Sequence, residues 1–187
     1  MEKIKELFFN TINPTKIEEI KEIFSDVTET VKIKFLTENI EEILSADIEL
    51  VIEAKAAEAY KRCRVPVVVE HGALWINYLN GFPSALSKPM WDLLNDKICT
   101  LIPSDADRSA KAISGVCFCD GKTRRTFIEE TNGTISFEGK GNGGFQWDPI
   151  FIPDGDNRTF AEMSRQEKLK YSQAAKAYNS LKVKLGL

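Results

Sequence analysis

Four short segments of this 187-residue chain carry residues able to do chemistry. His71, the only histidine, follows Glu70 in VEHG, at the end of a run of valines. A carboxylate there can hold Mg2+ together with substrate phosphates. An imidazole that titrates near neutrality can act as a general base. A turn histidine without chemical duty is the plainer reading of the same residue. The second segment, FFNTINPTK, ends in a polar loop that opens a helix, where free backbone N–H groups attract anions. Lys16 falls in the first turn of that helix, the end that cations avoid, so an anion lodged between the two would explain it; a solvated surface lysine is the bland alternative. The third, GKGNGGFQWDP, brings backbone close to a ligand through its glycines. Phe145 and Trp147 offer flat faces and Asp148 a fixed acceptor, a combination that suits a heterocycle, although a hairpin with core aromatics has the same composition. In the fourth, SRQEK, Lys168 repeats the oddity of a lysine in a first helical turn.

The elements that must position these residues follow from periodicity. An apolar strand around Leu7–Phe9 leads through a turn into a helix burying Ile17, Ile20 and Phe24. VKIKFL alternates as a half-buried strand, and the stretch from IEEIL through LVIEAKAAEAYKRC is helical. VPVVVE is a short β-branched run typical of a central strand, which puts Glu70 and His71 at the carboxyl end where open α/β sheets place ligands. AKAISGVCFCDGKTRRTFIEETNGTISFEG looks like antiparallel strands, with Asp120-Gly121 and Asn132-Gly133 as turn signals. PIFIP is a further short strand. Ser164 and Glu167 form a capping box that opens one long C-terminal helix. The sum is an α/β (mixed α+β) chain: a mixed sheet flanked by helices, with an antiparallel lobe.

Composition narrows the function classes. A net charge of −3 argues against a general nucleic-acid binder, and no stretch is apolar for long enough to cross a bilayer. The opening MEKIKELFFN lacks the apolar core of a secretory signal, so the cytoplasm is the default. Cys63, Cys99, Cys117 and Cys119 are too scattered for a disulfide framework. With one distant histidine they read as buried thiols better than as a zinc site.

Taken together and in order, the four segments resemble the inosine triphosphate pyrophosphatase family, whose members cleave deaminated purine triphosphates (ITP, dITP, XTP) to monophosphate and pyrophosphate with Mg2+. NTINPTK is similar to the family's T-x-N-x-x-K phosphate loop at Thr11, Asn13 and Lys16. GALWINYLNGFPSALS resembles its strand and G-x-P-G loop, with Ser84 in place of the last glycine. GGFQWDPIFIPDGDNRTFAEMSRQEK is the closest match. The resemblance implies base stacking by Phe145 and Trp147, base recognition by Asp148 and phosphate contact by Lys168. It further implies one domain over 1–187 in two lobes with a cleft between them, a purine nucleotide as partner, and a homodimer.

The departures fall at the chemistry. The family's water-activating acid is His71 here, beside Glu70. Its S-H-R, which contacts base and phosphate, is Ser172-Gln173-Ala174. Its metal glutamate falls by spacing on Leu50, leaving Glu70 and, with a shifted register, Glu49 or Glu53 to hold Mg2+ more weakly. Removing a general acid or base typically costs ~10² to 10⁴ in rate, so these changes bear on function. Three readings stay open: a pyrophosphatase with His71 as base, a nucleotide-processing enzyme of changed substrate in which His71 and Glu70 form a new acid–base pair, and a non-catalytic nucleotide-binding paralogue.

Overall fold

The computed structural model describes residues 4–187. Strand β1 (Glu6–Asn10) alternates so that Leu7 and Phe9 point into the core. Asn13 then caps helix α1 (Pro14–Ile23), its side chain accepting from the Thr15 N–H, with Pro14 in the first turn where no amide hydrogen is needed. Strand β2 (Lys32–Leu36) follows, and Asp47 caps helix α2 (Ile48–Cys63). Next come β3 (Val67–Ile76), the short β4 (Pro83–Ser84) and helix α3 (Ser87–Leu94). The antiparallel pair β5 (Ser109–Cys119) and β6 (Arg124–Ile135) leads to β7 (Phe151–Pro153), α4 (Arg165–Tyr171) and α5 (Gln173–Leu185).

One mixed sheet runs β2-β1-β3-β5-β6-β7, with β4 also on β3. β1 is parallel to β2 and β3, and the other pairings are antiparallel. One core joins Leu7, Phe9, Phe24, Val68 and Val116 to Tyr178 and Leu181 of α5. On the opposite face, α2 covers Val67, Val69, Cys117 and Cys119 with Ile52, Ala56 and Ala59. A further core gathers Leu74, Ile76, Trp147, Ile150, Phe151 and Phe160. The four cysteines are free thiols. Among the described residues no helix is long and apolar enough to cross a membrane.

Several sequence expectations change. Residues 40–44 are irregular rather than helical, because the helix begins only after the Asp47 cap. Asp120-Gly121 does turn the β5–β6 hairpin, with the Asp120 carboxylate accepting from the Lys122 and Thr123 N–H groups. Asn132-Gly133 lies inside β6 instead: a Cβ on Gly133 would stand 2.2 Å from the Ile152 carbonyl oxygen, so the glycine admits the close approach of β7. The C-terminal helix is broken at Ser172, whose extended backbone separates α4 from α5. His71 is neither a turn residue nor a strand tip, since β3 continues through it to Ile76.

The feature that makes the site is an interrupted strand edge. On one side of β3, β1 pairs only with Val67 and Val68, and β4 only with Leu74 and Trp75. The β3 edge between these pairings faces a cleft, and side chains take over its ladder bonds: Lys55 donates to the Glu70 carbonyl (3.0 Å) and Ser87 to the Gly72 carbonyl (3.1 Å).

Candidate functional site in the cleft at the open edge of β3

The cleft holds about 510 Å³ and is walled by the start of α1, the irregular 38–44 segment, β3, the loop at 145–148 and the ends of α4 and α5 that meet at Ser172. Adjacent strand residues point to opposite faces, so Glu70 and His71 serve different neighbours. Glu70, with its side chain only 8% exposed, pairs with Lys16 at 2.6 Å and accepts from Ser114 at 3.0 Å. Burial opposes its ionisation, but Lys16, Lys55 and the Ser114 hydroxyl more than offset this and hold the carboxyl below its ordinary value.

His71 faces the other way, toward Glu42 and the loop after β4. Its Nδ1 lies 3.0 Å from a Glu42 carboxylate oxygen and its Nε2 2.9 Å from the Ala85 carbonyl. Both ring nitrogens therefore face acceptors of the protein within hydrogen-bond distance. The general-base role expected of His71 does not fit this arrangement, in which neither nitrogen is free to take a proton from water. Glu42 also pairs with Lys55 at 2.7 Å. Burial works against the Glu42 charge, yet the His71 hydrogen bond and Lys55 hold its carboxyl well below the usual carboxylate range. Lys55 itself is lowered, by burial first and by the like charge of Lys16 second. Ser84 fixes this corner: it sits at φ 50°, a conformation that glycine adopts without strain, and its hydroxyl donates to the Ala46 carbonyl.

At the far end, Asp148 folds back on its own loop. One of its oxygens accepts from the Phe145 N–H (2.6 Å) and from Lys168 (2.7 Å). Gly144 adopts φ 80°, and a Cβ there would meet that carboxylate at 2.3 Å. Lys168 also reaches Glu19 at 3.4 Å and is raised: burial opposes its charge, but Asp148 and Glu19 outweigh burial. The Glu19 carboxyl is raised by burial, against the pull of Lys168 and with the help of Glu70 and Asp148. Phe145 is partly exposed, whereas Trp147 is buried edge-on against Phe151 (centroids 5.8 Å apart) and still lines the cleft. Two buried polar atoms lack partners: Asn13 Nδ2 and Gln173 Oε1, both on cleft-lining residues.

The cleft thus brings together Thr11, Asn13, Lys16, Glu70, His71, Phe145, Trp147, Asp148, Lys168, Ser172 and Gln173. Locally, the Thr11 hydroxyl accepts from the Asn13 N–H and the Ser172 hydroxyl caps α5. It does not include Glu53, which turns toward β6, within 3.3 Å of the Thr126 hydroxyl and beside Arg124. Glu53 thus lies apart from the residues expected to share its site. The sequence reading missed Glu19, Glu42 and Lys55; the i, i+3 spacing of Lys16 and Glu19 on one helix face was the only available signal for any of them. Among the described residues no group of three or more metal-ligating side chains converges. Glu42 and Glu70 are among the carboxylates that line the cleft, each held by a lysine.

An α/β chain with a cleft at an interrupted strand edge, lined by paired lysines and carboxylates and by aromatic rings, has the form of a nucleotide-binding protein. The Ham1 family model matches residues 7–184. Over 138 residues the chain is 41% identical to the dITP/XTP pyrophosphatase of Saccharolobus solfataricus, covering 73% of this chain and 72% of that one. It is 35% identical to the dITP/XTP pyrophosphatase of Pyrobaculum aerophilum over 91% of each chain. The solved structure of a HAM1 protein from Coxiella burnetii superposes with a TM-score of 0.81 at 26% identity, covering 98% of this chain and 99% of that one. The chain belongs to the Ham1 family, the inosine triphosphate pyrophosphatase family that its motifs resemble.

Proposed function

We propose that the protein hydrolyses deaminated purine nucleoside triphosphates to the monophosphate and pyrophosphate. The observation that carries this is the lining of the cleft, which joins Lys16, Lys55, Lys168 and the unpartnered Asn13 amide to Phe145, Trp147, Asp148 and the unpartnered Gln173 oxygen. Lys16 exchanges Glu70 for a phosphate oxygen when the nucleotide enters, and Asn13 donates to another. Glu70 and Glu42 would hold the Mg2+ that accompanies the triphosphate, and the ion would neutralise phosphate charge. Because both ring nitrogens of His71 are engaged by protein acceptors, the proton of the attacking water passes to a cleft carboxylate. Glu19, whose carboxyl is raised, suits that duty better than the depressed Glu42 and Glu70. His71 instead holds Glu42 and the Ala85 carbonyl in register.

The names of the relatives support a purine nucleotide as substrate. The exposed Trp75, Tyr78 and Phe82, close in sequence around the end of β3, support a homodimer, and the net charge of −3 supports a protein without nucleic-acid or anionic-membrane partners. The test is pyrophosphate release from ITP, dITP and XTP with Mg2+ or Mn2+. Release at rates well above those for ATP is expected, and no release from any nucleotide would overturn the assignment.

A further inference from the structure

We propose that Tyr178 holds the attacking water, its phenolic oxygen accepting one water hydrogen while Glu19 takes the other. The inference rests on the nucleotide reading above and adds a residue that acts on the nucleophile, not on the nucleotide. Tyr178 stands on α5, one turn beyond Ala174, and is 3% exposed. Its ring packs edge-on against Phe9 (centroids 5.9 Å apart) and Phe24 (5.8 Å). A ring walled in this way can still flip, but the flip axis passes through the hydroxyl oxygen, which stays in place.

The second observation is the hydroxyl itself, which makes no hydrogen bond among the described residues. A buried tyrosine usually finds a partner for its O–H. The polar atoms sealed from solvent without one are Asn13 Nδ2 and Gln173 Oε1. The Tyr178 oxygen is not sealed with them, so it touches open space, and the open space that Tyr178 borders is the cleft. Burial, and then the charges of Glu70 and Glu19, hold the phenol well above its ordinary value, so the proton stays on oxygen.

A neutral phenol near two carboxylates turns its hydrogen toward one of them and leaves its lone pairs for a donor. Glu70 suits the first part, since Lys16 leaves it for phosphate when the nucleotide enters. Glu19 suits the second, because its carboxylate is engaged only by Lys168, at 3.4 Å, among the described residues. A water between Tyr178 and Glu19 then has one hydrogen committed to each and a lone pair directed at the α-phosphorus. As the water oxygen bonds to phosphorus, its proton passes to Glu19. The bond from phosphorus to the bridging oxygen breaks, and pyrophosphate leaves with the electron pair. Tyr178 keeps its own proton throughout.

The experiment is steady-state pyrophosphate release from ITP with Mg2+ by the wild-type chain and by Tyr178→Phe, with calorimetric binding of IMP and thermal melts of both. Phenylalanine keeps the ring and its packing, and the lost hydroxyl has no partner in the fold, so the melting temperature should not fall. The kcat should drop by about 10²-fold, the cost of a misplaced reacting group, while KM and the affinity for IMP stay unchanged. A kcat equal to that of wild type would overturn the proposal. So would a loss of kcat matched by a loss of IMP affinity, which would make the hydroxyl a contact to the nucleotide. A melting temperature lowered by several degrees would overturn it too, since the hydroxyl would then hold a partner in the fold. A wild type that releases no pyrophosphate removes the nucleotide reading and this inference with it, whereas a fully active Tyr178→Phe sinks this inference alone.

Discussion

At the scale of single residues, the cleft is a chain of opposite charges held out of water: Lys55 with Glu42, Lys16 with Glu70, Lys168 with Glu19 and Asp148. Such pairs are costly to break from one side, because the survivor stays buried and unpaired. Lys16 is the sharpest case, since Glu70 keeps only the Ser114 hydroxyl as a side-chain partner when the ammonium goes. Lys16→Met is expected to lower unfolding free energy by about 3 kcal/mol, and adding Glu70→Gln should recover more than half of the loss. Denaturant melts of the two single variants and the double variant measure this as a cycle. Additive losses would mean that the pair contributes nothing as a pair. His71 shows why such a network resists reading from sequence. Its neighbours in the chain are Glu70 and Gly72, yet its hydrogen-bond partners are Glu42 and Ala85, contributed by loops on either side of it in sequence.

At the scale of elements, signals that act within a few residues were legible and those imposed by packing were not. The Ser164 and Glu167 capping box stands where the spacing placed it, both reciprocal bonds formed. The break at Ser172 has no glycine or proline to announce it, because serine there serves as the cap of a new helix. The irregular 40–44 segment reads as helical by composition, but Glu42 is drawn off by His71 and Lys55 across the cleft. Asn132-Gly133 signals a turn by local preference and is overruled by the proximity of β7. The capping box also carries a pH dependence. The Ser164 backbone N–H and hydroxyl, then Arg158, hold the Glu167 carboxyl down at about 2. Its value in the unfolded chain is about 4.3, so the folded form binds its proton less readily. The contribution is fully present above the unfolded value and is lost as pH falls toward 2. The melting temperature of Glu167→Gln should lie below wild type by a constant margin from pH 5 to 7, and the margin should close between pH 4 and 2. A margin independent of pH would show that the charge is not what the cap uses.

At the scale of the whole molecule, the cleft is where distant parts of the chain meet. Its walls run from Phe9 to Tyr178, drawing on α1, the 38–44 segment, β3, the 145–148 loop and both C-terminal helices. The cores under these walls are separate clusters: Phe9 and Tyr178 belong to one, Trp147 to another. A ligand that touches both Lys16 and Trp147 therefore ties together elements whose buried residues belong to different clusters. Binding to the folded state alone stabilises it by mass action, about 2.7 kcal/mol at a free ligand concentration one hundred times Kd. For a chain of this size each kcal/mol moves Tm by about 2–4 °C, so saturating IMP should raise it by about 5–11 °C. Because the ligand bridges the clusters, amide exchange should slow in α1 and in the 145–148 loop together, not at one wall alone. Protection confined to the 145–148 loop and α5, with α1 unchanged, would mean that the base is held by itself and that Lys16 takes no part in holding the nucleotide.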